Sequence, residues 1–257
     1  MAFLKPDQIE DLLYAVEQLQ SKHDQLVLTF SHRAYRSDKA AEYARHGYMR
    51  RVGTLKRCIE NVYKLIPPER ETIPDRNVLY DAQINIQAFV ANVYGAIDNL
   101  AWIWLYECGL ETRIHRTRVG LRAKHTDLRA TFSDRFRAYL QKIDPWLEYQ
   151  IEYRDALAHR IPLYIPPGMV KPKDADAYND LSRRMTEALY VKGDGFEYER
   201  VSAEQEKLLT FQPLITHSVS ETTAHFAFHV QMIPDFNTVE EIGYKILDEL
   251  NDCRHHP

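Results

Sequence analysis

INIQAFVANVYGAIDNLAWIWLY, residues 84–106, is the most apolar run of the chain and sets its fold class. A run of this length could cross a bilayer, but Asn85, Gln87, Asn92, Asp98 and Asn99 interrupt it, and hydrocarbon tolerates few such groups. It is therefore expected as the buried core helix of a mainly α-helical protein without a membrane partner. Extended outward, the helix spans about Asn77 to Cys108, with Gly109 as its stop.

Before this helix, residues 67–76 (PPERETIPDR) are polar and punctuated by proline, which marks a boundary. Further upstream, Ile9, Leu12, Leu13, Val16, Leu19, Leu26 and Val27 recur at one-face helical spacing behind Pro6, predicting a helix over about 7–28. Ser37 is placed to cap a second helix over 37–66, which must stop at Pro67 and Pro68. The two suit an antiparallel hairpin.

After the core helix, residues 113–131 lack clear periodicity and are expected as a surface loop with a helical piece. Ser133 should cap a helix to about Lys142, and Asp144-Pro145 should open another that ends near Ile161. Beyond Gly168 the pattern changes. A helix is expected over 174–191, a turn at Gly193-Asp194-Gly195, and an edge strand over Leu208–Thr216 that contains Pro213. Alternating large apolar residues over His225–Met232 predict a second strand, with Ser218–Thr222 joining the two as a hairpin. Asn237-Thr238 should begin a closing helix through Leu250. The organisation is thus an N-terminal helical hairpin (1–70), a helical core (71–167) and a small α/β extension (168–257), compatible with one compact domain.

With 257 residues the chain can bury a sizeable core without covalent staples. Cys58, Cys108 and Cys253 are odd in number and far apart, which argues against disulfides or zinc and for a reducing compartment. The opening residues lack the pattern of a secretory signal, so a cytoplasmic location is expected. The net charge of −4 offers no global attraction to nucleic acid. A local patch does: between Arg113 and Arg137, eight Lys/Arg face only Asp127 and Asp134. Arg116, Arg118, Arg122 and Lys124 of this patch are candidate substrate contacts.

The candidate for chemistry is Arg154-Asp155-Ala156-Leu157-Ala158-His159. Arginine can clamp a phosphate through two N–H groups, and histidine can move a proton near neutral pH. At a helix C-terminus, His159 would feel a dipole that favours imidazolium. Five residues apart on one helix, the two side chains point about 140° from one another. A symmetric pair of helices could nevertheless gather two arginines and two histidines around one cleft. Asp98 and Asn99, once buried, need a partner, and Arg154 or Arg160 is the expected one.

This hexamer resembles the signature of the HEPN superfamily, an arginine followed after four to six residues by a histidine, often with a polar residue directly after the arginine. Asp155 fills that polar position. The preceding helix, with Asn92, Gly95, Asp98 and Asn99 around Trp102, resembles the family's second core helix, whose buried polar residue supports the motif. The resemblance covers about residues 77–167 and implies a helical homodimer. Many such proteins are metal-independent ribonucleases of toxin–antitoxin, defence or RNA-processing systems. Carried over, Arg154 would hold the scissile phosphate, His159 would transfer a proton, Asp155 would orient its neighbours, and Arg160 would add a phosphate contact. Attack by the ribose 2′-hydroxyl makes RNA the expected substrate, with no cofactor and no metal. A cognate antitoxin or neighbouring regulatory protein is a further expected partner. The competing reading is a non-catalytic RNA-binding or regulatory scaffold.

Tyr149, Tyr153 and Tyr164 flank the motif and suit core packing better than base stacking. His225 and His229 on one strand would stand roughly 13 Å apart, too far to share a metal ion.

Overall fold

A computed structural model describes residues 3–218 and 226–252. The fold is mainly α-helical with small antiparallel strand pairs in its C-terminal third. α1 (Pro6–His32) starts at its proline, where the Gln8 side chain accepts from the Lys5 N–H at 3.0 Å. It buries Leu19, Leu26 and Phe30 and runs one turn beyond the expected end. Ser37 caps α2 (Asp38–Glu42) by accepting from the Ala40 N–H. A π-helical turn, Tyr43–Tyr48, leads without a break into α3 (Met49–Leu65). Three contacts show that α1 and α3 run antiparallel. Phe30 meets Tyr48 with ring centroids 4.8 Å apart, His23 lies against Gly53, and Lys56 donates to Gln20 at 2.6 Å.

α4 (Arg76–Glu107) is the expected core helix, with Val93, Ala96, Leu100, Ala101 and Ile103 fully buried. Each such leucine or isoleucine contributes about 1.5–3 kcal/mol by leaving water, so this helix anchors the bundle. Gly109, at φ 63°, takes the left-handed conformation that ends it, and the Leu110 N–H reaches back to the Leu105 carbonyl. One continuous buried cluster runs from Leu19 to Leu250 and draws on all three segments distinguished in the sequence.

The basic stretch is the expected loop, with a 3-10 turn at Arg116–Arg118 and the short α5 (Thr126–Arg129). α6 (Asp134–His159), capped by Ser133, corrects the expectation of two helices. Pro145 lies inside it. Asp144 caps nothing and instead pairs with the buried guanidinium of Arg129, which also donates to the Leu121 carbonyl at 2.8 Å. That ion pair ties the loop to α6, and packing against α4 carries the helix past the proline.

In the C-terminal third, β1 (Met169–Val170) pairs with β2 (Leu209–Thr210), and β3 (Leu214–Ile215) with β4 (Phe226–Ala227), both antiparallel. The strand expected over Leu208–Thr216 is therefore two short pieces separated around Pro213. α7 (Ala175–Thr186) continues as a π-helical turn to Lys192. Gly193 then turns the chain, and Asp194 caps α8 (Gly195–Glu206), a helix the sequence reading did not foresee. The strand expected over His225–Met232 is mostly absent: only Phe226–Ala227 pairs. α9 (Phe228–Asp252) begins nine residues before the expected Asn237 and carries Pro234 inside it. α9 packs on α1, α3 and α4, which bury Phe228, Phe236, Ile242 and Ile246. The expected hairpin turn, His225 and Cys253 lie largely or wholly outside the described residues. Among the described residues, no helix is long and apolar enough to cross a membrane.

Candidate functional site

Two adjoining stripes of α4 carry the polar residues of the 84–106 stretch. Asn92, Gly95 and Asn99 recur at spacings of three and four, the period of one helix face, and meet α3. There the guanidinium of Arg51 lies across Gly95, donating from Nε to Asn99 Oδ1 at 3.0 Å and from Nη1 to Asn92 Oδ1 at 3.1 Å. A Cβ on Gly95 would fall 2.4 Å from the Arg51 guanidinium carbon, so glycine is what admits the arginine. The partner of Asn99 is therefore Arg51, and neither Arg154 nor Arg160 bonds it.

Tyr94 and Asp98, four residues apart, form the second stripe and face the Arg154 motif. The Arg154 guanidinium sits 4.6 Å from the Tyr94 ring centroid and pairs with Asp155 at 2.6 Å, so a cation–π contact and a carboxylate hold it together. Among the described residues Asp98 meets no hydrogen-bond or direct ion-pair partner, yet it is largely covered. Burial raises its carboxyl to about 6, against the opposing pull of Arg154, Arg51, Arg122 and Lys124. Tyr94 is raised too, first by burial and then by the nearby Asp98 charge. Four cations from α3, α6 and the basic loop thus surround one poorly solvated carboxylate.

The sequence-predicted residues divide sharply. Arg154, Asp155, Arg122, Lys124, Asn92, Asp98 and Asn99 converge on this region. His159 does not join Arg154: it is the exposed last residue of α6, without a hydrogen bond or ion pair to it. Arg160 is also exposed and reaches back to the Glu152 carbonyl at 3.4 Å. Arg116 lines a separate hollow with Lys39, Tyr43, Trp102 and Tyr106. Arg118 pairs with Asp127 in the open.

Much of the basic patch is consumed locally. Arg122 pairs with Glu148 at 2.7 Å, Arg129 with Asp144, Arg135 with Glu249 and Arg137 with Asp134. Lys124 is exposed and unpaired. The flanking tyrosines are structural: Tyr149 and Tyr153 pack together and against Phe226, while Tyr164 bridges to Thr216. His229 is buried, with Nε2 2.6 Å from the Ile66 carbonyl. No group of three or more His, Cys, Asp or Glu suited to a metal ion occurs among the described residues.

Sequence reasoning missed Arg51 and Tyr94. A signal existed for both. A glycine within an otherwise apolar helix marks close approach by a neighbour, and Tyr94 stands one turn before a carboxylate on the same face. Comparison with protein-family models, curated proteins and solved structures found no match to the chain.

Proposed function

We propose that this chain is a metal-independent, HEPN-type endoribonuclease acting as a homodimer, with Arg154 of one copy and His159 of the other completing each site. One observation carries the proposal: Arg154, Arg122, Lys124 and Arg51 gather around Asp98 of α4, and α6, which supplies Arg154, ends in an exposed histidine. Such a cluster suits the phosphates of a polynucleotide, because fixed donors in a partly dry site stabilise charge developing on phosphate oxygens. The exposed His159 is free to serve a neighbouring copy's Arg154. Within one chain, helix geometry keeps the two apart.

In this mechanism the cationic cluster holds the scissile phosphate and its neighbour. Histidine accepts the 2′-hydroxyl proton as that oxygen attacks phosphorus. The P–O5′ bond breaks, and the departing oxygen takes a proton from water or from the second histidine of the cleft. The products are a 2′,3′-cyclic phosphate and a 5′-hydroxyl, with no electrons exchanged. A cognate antitoxin would act by covering the same cleft.

A second reading has its own support. Arg154 is already occupied by Asp155 and Tyr94, which favours a scaffold that binds RNA or regulates a partner without cutting. Incubating purified protein in EDTA with labelled RNA and a matched all-deoxy strand separates the two. The nuclease cleaves RNA alone, leaves a cyclic phosphate, and loses activity in both Arg154→Ala and His159→Ala. Uncut RNA, or cutting that survives both substitutions, supports the scaffold.

A further inference from the structure

The Arg51 cradle has more than a packing role. A guanidinium that merely joined two helices would best be met by a carboxylate, because a largely covered cation without a counter-charge is costly. Here both acceptors are neutral amides, Asn92 and Asn99, and among the described residues no carboxylate stands within ion-pair distance of Arg51. The charge is held in place without a direct ion pair, offset only in part by the field of Asp98.

Its orientation is set as well. Nε and Nη1 are engaged, and Gly95 lets the plane of the group lie flat on α4. Nη2 makes no hydrogen bond and is not sealed inside the protein. The Nη2 donors therefore remain free on a group whose position is fixed by the bonds from Nε and Nη1.

The charge inventory of the site points to the occupant. Arg154 is matched by Asp155 and Arg122 by Glu148, whereas Arg51 and Lys124 are matched by no direct pair. Both lie close enough to Asp98 to pull on its carboxyl. With Asp98 ionised the four cations still exceed the three carboxylates by one, and two of them have no direct pair, which suits the phosphates of a polynucleotide, each carrying one negative charge.

We infer that Arg51 is a phosphate-contacting residue of this site, aimed by the Asn92–Gly95–Asn99 cradle at an RNA phosphate beside the one held by Arg154. The inference rests on the RNA reading of the cluster and extends it to α3, an element the sequence placed outside the site. It needs neither cleavage nor a dimer.

The test uses Asn92→Asp and Asn99→Asp, which keep shape and the bonds to Arg51 but supply the missing counter-charge. Asn85→Asp is the control: it adds the same charge on α4 at a residue that accepts from Asn61. Affinity for a labelled single-stranded RNA is measured with the full chain, beside its melting temperature. Asn99→Asp should keep or raise the melting temperature, Asn92→Asp also gives up its Nδ2 bond to the Ala88 carbonyl, and each should weaken RNA binding at least about tenfold, the worth of one charge-assisted contact. Asn85→Asp should stay within about threefold of wild type, well short of that contact's worth. Arg51→Lys, which retains charge but loses the fork, should weaken binding as well. Wild-type binding left intact in the cradle variants overturns the role of Arg51 and spares the RNA reading. A wild-type chain that binds no RNA overturns both.

Discussion

Asp98 shows how the site trades stability for a buried charge. Burial holds its carboxyl at about 6 despite four nearby cations, whereas an unfolded aspartate titrates near 3.9. The folded state therefore binds more protons between those values, so stability is full below about 3.9 and falls as pH rises through about 6. Asp98→Asn should raise stability at pH 7.5 by on the order of 2–3 kcal/mol, read as a higher denaturant midpoint. A lower midpoint would show that Asp98 is stabilised by its cations after all. His229 works in the opposite sense. Burial pushes it down to about 4, and its Nδ1 has no partner. The unfolded state takes up the proton first, so stability present above pH 6.5 is lost progressively as pH falls toward 4, by on the order of 3 kcal/mol. Denaturant midpoints measured from pH 7 to 4.5 should fall more steeply for wild type than for His229→Gln, which can still donate to the Ile66 carbonyl. Equal slopes would contradict this assignment.

At the scale of elements, α6 is the test case. Pro145 removes an N–H that would otherwise bond the Gln141 carbonyl, and an interior proline costs a helix about 3 kcal/mol when it breaks the ladder. Pro145→Ala should therefore stabilise the protein by about 1–2 kcal/mol, part of the gain being offset by a freer unfolded chain. Thermal melting checks this, and a fall would mean that the proline sets a bend the packing requires. The same helix shows where sequence alone falls short. Asp144-Pro145 is a good local helix start, but the partner that reassigns Asp144 is Arg129, 15 residues away. Phe226, Phe228 and Val230 alternate like a strand, yet Phe228 and the following residues are helical because α1, α3 and α4 offer one continuous apolar surface. The core helix, its glycine stop and the Ser37 and Ser133 caps were legible because each rests on contacts within a few residues. The convergence of Asp98, Arg154 and Arg122 was legible only as residue types. Arg51 was hidden because its position depends on which face of α3 meets Gly95.

For the whole molecule, RNA binding at the proposed site should weaken as salt rises. Each phosphate neutralised on a single strand lowers the log–log salt slope by about 0.7. Four cations at the site therefore give a slope of about −3, measurable by titrating labelled RNA from low to moderate salt. A slope near zero would remove the cationic cluster from RNA binding. The proposed dimer bears on the arrangement of the motif itself: α6 leaves Arg154 packed on Tyr94 and His159 exposed at its end. The proposed site requires these two residues to meet across two copies of the chain. Mixing separately inactive Arg154→Ala and His159→Ala proteins, after confirming that both fold and self-associate, tests it directly through RNA cleavage in EDTA. Subunit exchange should restore activity in about half of the dimers, those that pair one intact arginine with one intact histidine across the interface. A mixture as inactive as its components, under conditions where wild type cuts or where wild type itself leaves RNA uncut, would contradict the claim.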